Sequence, residues 1–291
     1  MKQQFPIMEA SLIIPMITPF RDNHLDRSAL DMFLEYARRN RFDGLFAGGS
    51  TGGFASLSFE QHQKLLEWVI EDSQGIDLYA GITRSSLIET LHMGKIASDL
   101  GYGNLVAINP FYHKYSQESI YRFFDSILDA FDTNVFAYNN PGLSGTEIQP
   151  DTIMKLRDSH ENLAGLKDSG ADMKKFREFL KIKGLKVFQG KDALLLDSIR
   201  EGAAGGVCMS SNFCLNTLRI AKGSPESERI CQMTKEIVDL VTSYETPTIH
   251  NYLFRKYIAG EKEPRNYMNM PFADLKETPP EKKLRELMIL E

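Results

Sequence analysis

Between residues 11 and 211, short apolar runs alternate with longer stretches in which apolar residues recur at helical spacing. The runs are LIIPMI (12–17), GLFAGG (44–49), LYAGIT (78–83), LVAINP (105–110), VFAYNN (135–140), LAGLKD (163–168), KVFQGK (186–191) and AAGGVCMSS (203–211). Short apolar segments bounded by glycine, proline or polar residues read as buried strands. The intervals carry one-sided apolar patterns such as Leu30, Phe33, Leu34 and Ala37, or Leu65, Leu66, Val69 and Ile70, which read as amphipathic helices. Strict alternation of this kind implies parallel strands joined by right-handed crossovers, and eight units is the number that closes a (β/α)8 TIM barrel. An open doubly wound sheet is the alternative. Its dinucleotide fingerprint is missing, because Gly101-Tyr102-Gly103 runs into Asn104-Leu105-Val106 without a third glycine.

Helix-start signals fit this frame. Ser58 precedes an apolar-periodic stretch with Gln61 three residues on, and Ser116 stands before Glu118 and Ser119. Beyond residue 211 the strand signal stops. Helices are expected around 226–243 and 247–259, and a terminal one opens at Pro279-Pro280-Glu281. The expected organisation is one domain over residues 1–291, with the barrel at about 11–225 and additional C-terminal helices at about 226–291.

Composition narrows the function. A net charge of −5 leaves no basic footprint for nucleic acid. The three cysteines, Cys208, Cys214 and Cys231, have no disulfide-like spacing and point to a reducing compartment. The opening MKQQFPIMEASLIIPMITPF reads as neither a signal peptide nor a membrane span, so a cytoplasmic protein is expected. The six histidines are scattered without metal-ligand spacing, and no metal or organic cofactor is expected.

Active sites of such barrels stand at the C-terminal ends of the strands, which makes the residues there the ones to weigh. Lys167 ends the run Leu163 to Leu166 and is followed by Asp168-Ser169-Gly170. An amine must be unprotonated to attack a carbonyl and form a Schiff base, and partial burial favours that form. Tyr138 with Asn139 and Asn140 ends the preceding strand, where its phenol is placed to exchange a proton with a substrate oxygen. Gly48-Gly49-Ser50-Thr51-Gly52-Gly53 offers paired hydroxyls on an unhindered backbone, suited to a carboxylate. The same residues spell Gly-x-Ser-x-Gly, the nucleophile elbow of serine hydrolases, with His250 and Asp192 or Asp197 as conceivable partners. Against that reading, Phe54-Ala55-Ser56-Leu57 separates the serine from the next helix, which an elbow serine should enter directly.

GGSTGG near residue 50, NPFYHKYS near 110, AYNNPGLSG at 137–145 and LAGLKDSGAD at 163–172 together resemble the class I pyruvate-dependent aldolases and lyases. That family includes dihydrodipicolinate synthase, N-acetylneuraminate lyase and 2-keto-3-deoxygluconate aldolase. The resemblance spans nearly the whole chain. It implies a TIM barrel assembled as a homotetramer of two dimers, acting on a small sugar acid or pyruvate with neither nucleic acid nor membrane as partner. It also implies Lys167 as the Schiff-base lysine, Tyr138 as acid/base, Ser50 and Thr51 on the pyruvyl carboxylate, and Tyr112 relaying protons across a dimer interface. Asn139, Asn140, Asp168, Ser169, Gly190 and Met209 are expected to complete the substrate surface.

Departures from the family pattern guide the choice of substrate. Leu143 stands where the dihydrodipicolinate synthases carry an arginine for a second carboxylate. Gly190-Lys191-Asp192-Ala193 keeps one acid of the pair found in sialic acid lyases, and Cys208-Met209 replaces the small residues expected after strand eight. Gly53, Lys167-Asp168-Ser169 and Ser211-Asn212-Phe213 are closer to the archaeal ketodeoxygluconate aldolases. The expected reaction is therefore reversible cleavage of a 2-keto-3-deoxy sugar acid to pyruvate and an aldehyde such as glyceraldehyde. N-acetylneuraminate is the alternative substrate, and Lys114 and Arg84 are the cations near strand ends that could meet a phosphate.

Overall fold

The computed structural model describes residues 9–73, 75–264, 271–273 and 275–290. The first eight residues of the N-terminal segment read above, and residues 265–270, 274 and 291 of the expected C-terminal extension, lie outside them.

Eight parallel strands form a closed barrel: β1 (Ser11–Pro15), β2 (Gly44–Ala47), β3 (Asp77–Gly81), β4 (Asn104–Ile108), β5 (Asn134–Asn139), β6 (Leu163–Asp168), β7 (Lys186–Gln189) and β8 (Gly205–Val207). Each coincides with one of the apolar runs, and β1 pairs with both β2 and β8 to complete the ring. Most of the runs overshoot their strands at the C-terminal end. There the chain leaves the sheet to build loops, as at Gly48, whose φ of +70° lies in the left-handed region.

Helices follow the strands, among them α1 (Arg27–Arg39), α2 (Phe59–Asp72), α3 (Leu87–Leu100) and α4 (Gln117–Ala130). The Ser58 hydroxyl accepts from the Gln61 amide at 3.1 Å while the Gln61 side chain accepts from the Ser58 amide at 3.0 Å, a complete capping box. Ser116 caps α4 by accepting from the Ser119 amide. Outside the predicted pattern, Phe20–Arg21 and His24–Leu25 pair as a hairpin through Asp22 and Asn23. Both turn residues have positive φ, 51° and 63°. That is type I′ geometry, which Asp and Asn tolerate without the glycine that usually signals it.

Side chains alternate across the barrel wall. Leu12, Leu45, Leu105, Val135, Leu166 and Val187 pack outward against the helices. Ile13, Phe46, Val106, Phe136, Tyr138 and Phe188 fill the interior. This period of two sends Tyr138 inward, and with it Lys167, which lines the barrel interior together with Phe46 and Phe188.

Past β8, α5 (Ser227–Val241), α6 (Thr248–Tyr257) and α7 (Glu281–Leu287) share a separate apolar cluster built on Phe213, Ile237, Leu253 and Leu284. The fully buried Arg255 fastens α6 to the barrel, donating to the Asp26 carboxylate at 3.0 Å and to the Phe20 carbonyl at 2.9 Å. No helix among the described residues is long and apolar enough to cross a membrane.

Candidate active site

A cavity of about 440 Å³ opens at the C-terminal ends of the strands. Ser50 and Thr51 reach it from the turn after β2, Tyr138 and Asn140 from β5, Lys167 and Ser169 from β6, Gly190 from β7 and Met209 from β8. Lys167 pairs in register with Tyr138 on one side and Phe188 on the other, which puts the amine and the phenol in the same interior layer. Lys167 Nζ stands 4.2 Å from the centre of the Tyr138 ring and 5.3 Å from that of Phe46.

The Tyr138 hydroxyl accepts a hydrogen bond from Asn140 Nδ2 at 2.8 Å. Burial by itself would raise this phenol, but the charge of Lys167 and the Asn140 hydrogen bond outweigh it and hold the group below its ordinary value. A phenol so placed can both give and take a proton. The Ser50 hydroxyl is buried close to Tyr138, which it helps to hold low, but makes no hydrogen bond of full geometry among the described residues. Such a group is an acceptor and donor waiting for a ligand.

Two of the residues expected on the substrate surface lie elsewhere. Asn139 and Asp168, one position past the inward-facing pair, turn to the outer side of the barrel, where Asn139 Nδ2 donates to Asp168 Oδ1 at 2.7 Å. Asn139 Oδ1 accepts from the Ile148 amide and Asp168 Oδ1 from the Gly170 amide, so the pair braces the loops after β5 and β6. Burial raises the Asp168 carboxyl, partly offset by these donors. Tyr112 is 90% exposed at a φ of 81°, away from this chain's own cavity. Among the cations, Arg84 is held by the Leu57 carbonyl, while Lys191 rather than Arg84 or Lys114 lines the cavity.

The hydrolase constellation is not assembled. Neither ring nitrogen of His250 has a hydrogen-bond partner among the described residues, and its ring stacks on Phe213 at 6.1 Å with 9° between the planes. The Asp192 carboxylate accepts instead from the Met209 and Ser210 amides at 3.2 and 2.8 Å, tying the β7 loop to the β8 loop. Asp192, Lys191 and His250 all border the cavity, as do Val238 and Val241 of α5. The C-terminal helices thus wall the site as well as packing on the barrel.

Gly190 is where a side chain cannot fit. A β-carbon there would lie 2.0 Å from Ser169 Oγ, 2.9 Å from the Asp168 carbonyl and 3.2 Å from Lys167 Cε. The carbonyl cannot swing aside, so Gly190→Ala should displace Ser169 and Lys167. We expect kcat/KM to fall on the order of 10- to 100-fold and stability by about 1–3 kcal/mol. Steady-state kinetics and denaturant unfolding measure both, and wild-type kinetics in the variant would refute the constraint.

Two buried histidines make stability depend on pH. Burial lowers His62, beneath the Gly48 turn, to about 3, with the charge of Arg84 adding to it, and burial lowers His250 to about 4, both from 6.5. Above pH 6.5 both are neutral whether the chain is folded or unfolded. Below it the unfolded chain binds two protons that the folded chain refuses, so stability falls with pH. Together they contribute a slope approaching ~2.7 kcal/mol per pH unit between about pH 6 and pH 4.5. Unfolding titrations from pH 7 to 4.5 should show it, and a His62→Gln, His250→Gln double variant should flatten it. An unchanged slope in the double variant would count against this origin.

With this geometry in view, comparison with known proteins is informative. Residues 8–244 match the dihydrodipicolinate synthetase family. A 2-dehydro-3-deoxy-D-gluconate/2-dehydro-3-deoxy-phosphogluconate aldolase of Picrophilus torridus is 35% identical over 209 residues, covering 70% of this chain and 77% of the relative. A 4-hydroxy-tetrahydrodipicolinate synthase of Hydrogenobaculum sp. is 33% identical over 202 residues, covering 69% of this chain and 70% of that one. The solved 2-keto-3-deoxygluconate aldolase from Picrophilus torridus superposes with a TM-score of 0.80 at 30% identity, over 86% of this chain and 93% of its own. The chain belongs to the dihydrodipicolinate synthetase family and is a class I aldolase, a carbon–carbon lyase.

Proposed function

We propose that the enzyme reversibly cleaves a 2-keto-3-deoxy sugar acid of the 2-keto-3-deoxygluconate kind to pyruvate and an aldehyde such as glyceraldehyde. The observation that carries this reading is the in-register pair of Lys167 and Tyr138, with Nζ 4.2 Å from the phenol ring, facing a cavity shared with Ser50 and Thr51. The Lys167 amine adds to the C2 carbonyl and water leaves, giving an iminium. Ser50 and Thr51 hold the carboxylate. Tyr138, as phenolate, takes the proton of the C4 hydroxyl; the C3–C4 bond breaks, the aldehyde departs, and the bonding pair moves into the iminium to form an enamine. Protonation at C3 and hydrolysis then release pyruvate and the free lysine. The lowered pKa of Tyr138 favours the phenolate this step needs.

Substrate choice rests on Leu143, which is 62% exposed and borders the cavity where a second carboxylate would call for a cation. It rests also on the Picrophilus torridus relative, whose name describes a sugar-acid aldolase. Ala193 and Met209 offer no polar partners for the long tail of N-acetylneuraminate. In the assembled homotetramer the exposed Tyr112 serves a neighbouring subunit's site. Measuring kcat/KM for pyruvate release from 2-keto-3-deoxygluconate and from N-acetylneuraminate, and for condensation of pyruvate with aspartate semialdehyde, tests the assignment. The first should lead clearly. Preference for either of the others would overturn it.

A further inference from the structure

Strand alternation places two further side chains on the inward side, beside Tyr138 and Lys167. Asn140 stands two residues past Tyr138 and Ser169 two past Lys167, with the outward Asn139 and Asp168 between them. The backbone at Asn140 is locked: its carbonyl accepts from the Leu143 amide at 3.0 Å, the Ser144 amide at 2.9 Å and the Ser144 hydroxyl at 3.0 Å, and Pro141 follows it. Its buried side chain turns back on Tyr138, and Nδ2 donates to the phenolic oxygen at 2.8 Å. An amide nitrogen can only donate, so the phenolic oxygen is the acceptor in this bond. The bond strengthens when that oxygen carries a full negative charge. Around the phenol, β4 brings Ile108 and β2 brings Phe46, neither of them ionisable. Lys167 on β6 is the cation in contact, and the Ser50 and Ser169 hydroxyls stand close. Lys191, Asp192 and His250 border the same cavity.

We propose that Asn140 is a positioning residue for the proton transfer, holding the Tyr138 oxygen as phenolate for C–C cleavage rather than serving as a contact for the sugar chain. The inference rests on Tyr138 acting as the base in the cleavage reaction above. Lys167 Nζ lies over the ring, 4.2 Å from its centre, whereas Asn140 is bonded to the reacting oxygen itself. The Lys167 nitrogen also changes charge along the reaction, cationic in the iminium and neutral once the enamine forms. The Asn140 amide presents the same dipole throughout, fixed by a backbone that three hydrogen bonds hold in place.

The test measures the rapid-quench rate of C–C cleavage at saturating 2-keto-3-deoxygluconate as a function of pH, in the wild-type enzyme and in Asn140→Leu, which keeps the side chain's size and removes the donor. A hydrogen bond to a charged acceptor is worth about one to two pH units, so the acid limb of the profile should move up by that much. Well below the wild-type midpoint the variant should be about 10- to 100-fold slow, the deficit should narrow as pH rises past that midpoint, and KM should stay within about twofold. In a Tyr138→Phe background the same substitution should change the rate by less than about twofold, because no phenolic oxygen is left to hold. Asn140→Asp turns a carboxylate on the phenol and should move the limb in the same direction, which keeps the question open to measurement if the leucine variant fails to fold. A deficit equal at every pH, a raised KM with an unmoved limb, or a limb moved to lower pH overturns the inference, the last because the amide would then be offering its oxygen to the phenol. Any of these with Tyr138→Phe still slow leaves the reading of Tyr138 as the base intact. A Tyr138→Phe variant that cleaves at the wild-type rate overturns that reading and this inference together.

Discussion

Lys167→Ala should lower kcat/KM for sugar-acid cleavage on the order of 10⁴-fold or more while leaving the protein folded. The size of the effect follows from the mechanism: without the amine there is no iminium, and the electrons of the breaking C3–C4 bond have no sink. The fold should tolerate the change because Lys167 has no carboxylate within ion-pair distance among the described residues, so no buried partner charge is stranded. Lys167→Arg is the sharper control. It keeps a cation in the barrel yet supplies no nucleophile, and should be as inactive as the alanine variant. If the arginine variant retained substantial activity, Lys167 would be acting through its charge and covalent catalysis would have to be abandoned.

Tyr138→Phe should reduce the cleavage rate by about 10²- to 10⁴-fold, the range for loss of a general acid/base, while Schiff-base formation with pyruvate survives. The ring stays, so its edge contact with Phe46 at 6.5 Å is kept. The hydrogen bond from Asn140 is lost, at a stability cost of about 0.5–1.5 kcal/mol. The kinetic split distinguishes the proton role from a packing role: rapid-quench measurement should find adduct formation near normal and C–C cleavage slow. A variant that cleaves at nearly the wild-type rate would reduce Tyr138 to a packing residue.

The barrel was legible because each strand is a local run, and the eight runs sit in order along the chain. The strand-end chemistry was legible for the same reason. Reading Asn139 and Asp168 as substrate contacts overlooked a signal already present in the sequence, since a strand that sends Tyr138 inward sends its neighbour outward. The part of the cavity wall beyond the barrel is another matter. Val238 and His250 reach the cavity only because α5 and α6 dock onto the barrel, through contacts such as Arg255 with Asp26, two residues 229 positions apart. Helical periodicity says that α5 has an apolar face, and it does not say that the end of that face borders a catalytic cavity. The Phe20–Leu25 hairpin stayed hidden because its turn uses Asp-Asn in place of a glycine pair.

The central claim is that Lys167 forms a covalent iminium with pyruvate, and borohydride trapping tests it most directly. Wild-type enzyme incubated with pyruvate and reduced with borohydride should become inactive and gain the mass of one reduced pyruvyl group, located on the peptide containing Lys167 by tandem mass spectrometry. Lys167→Ala treated identically should gain nothing, and Tyr138→Phe should still be labelled. An unmodified Lys167 after reduction, or an adduct on another lysine such as Lys191, would contradict the account.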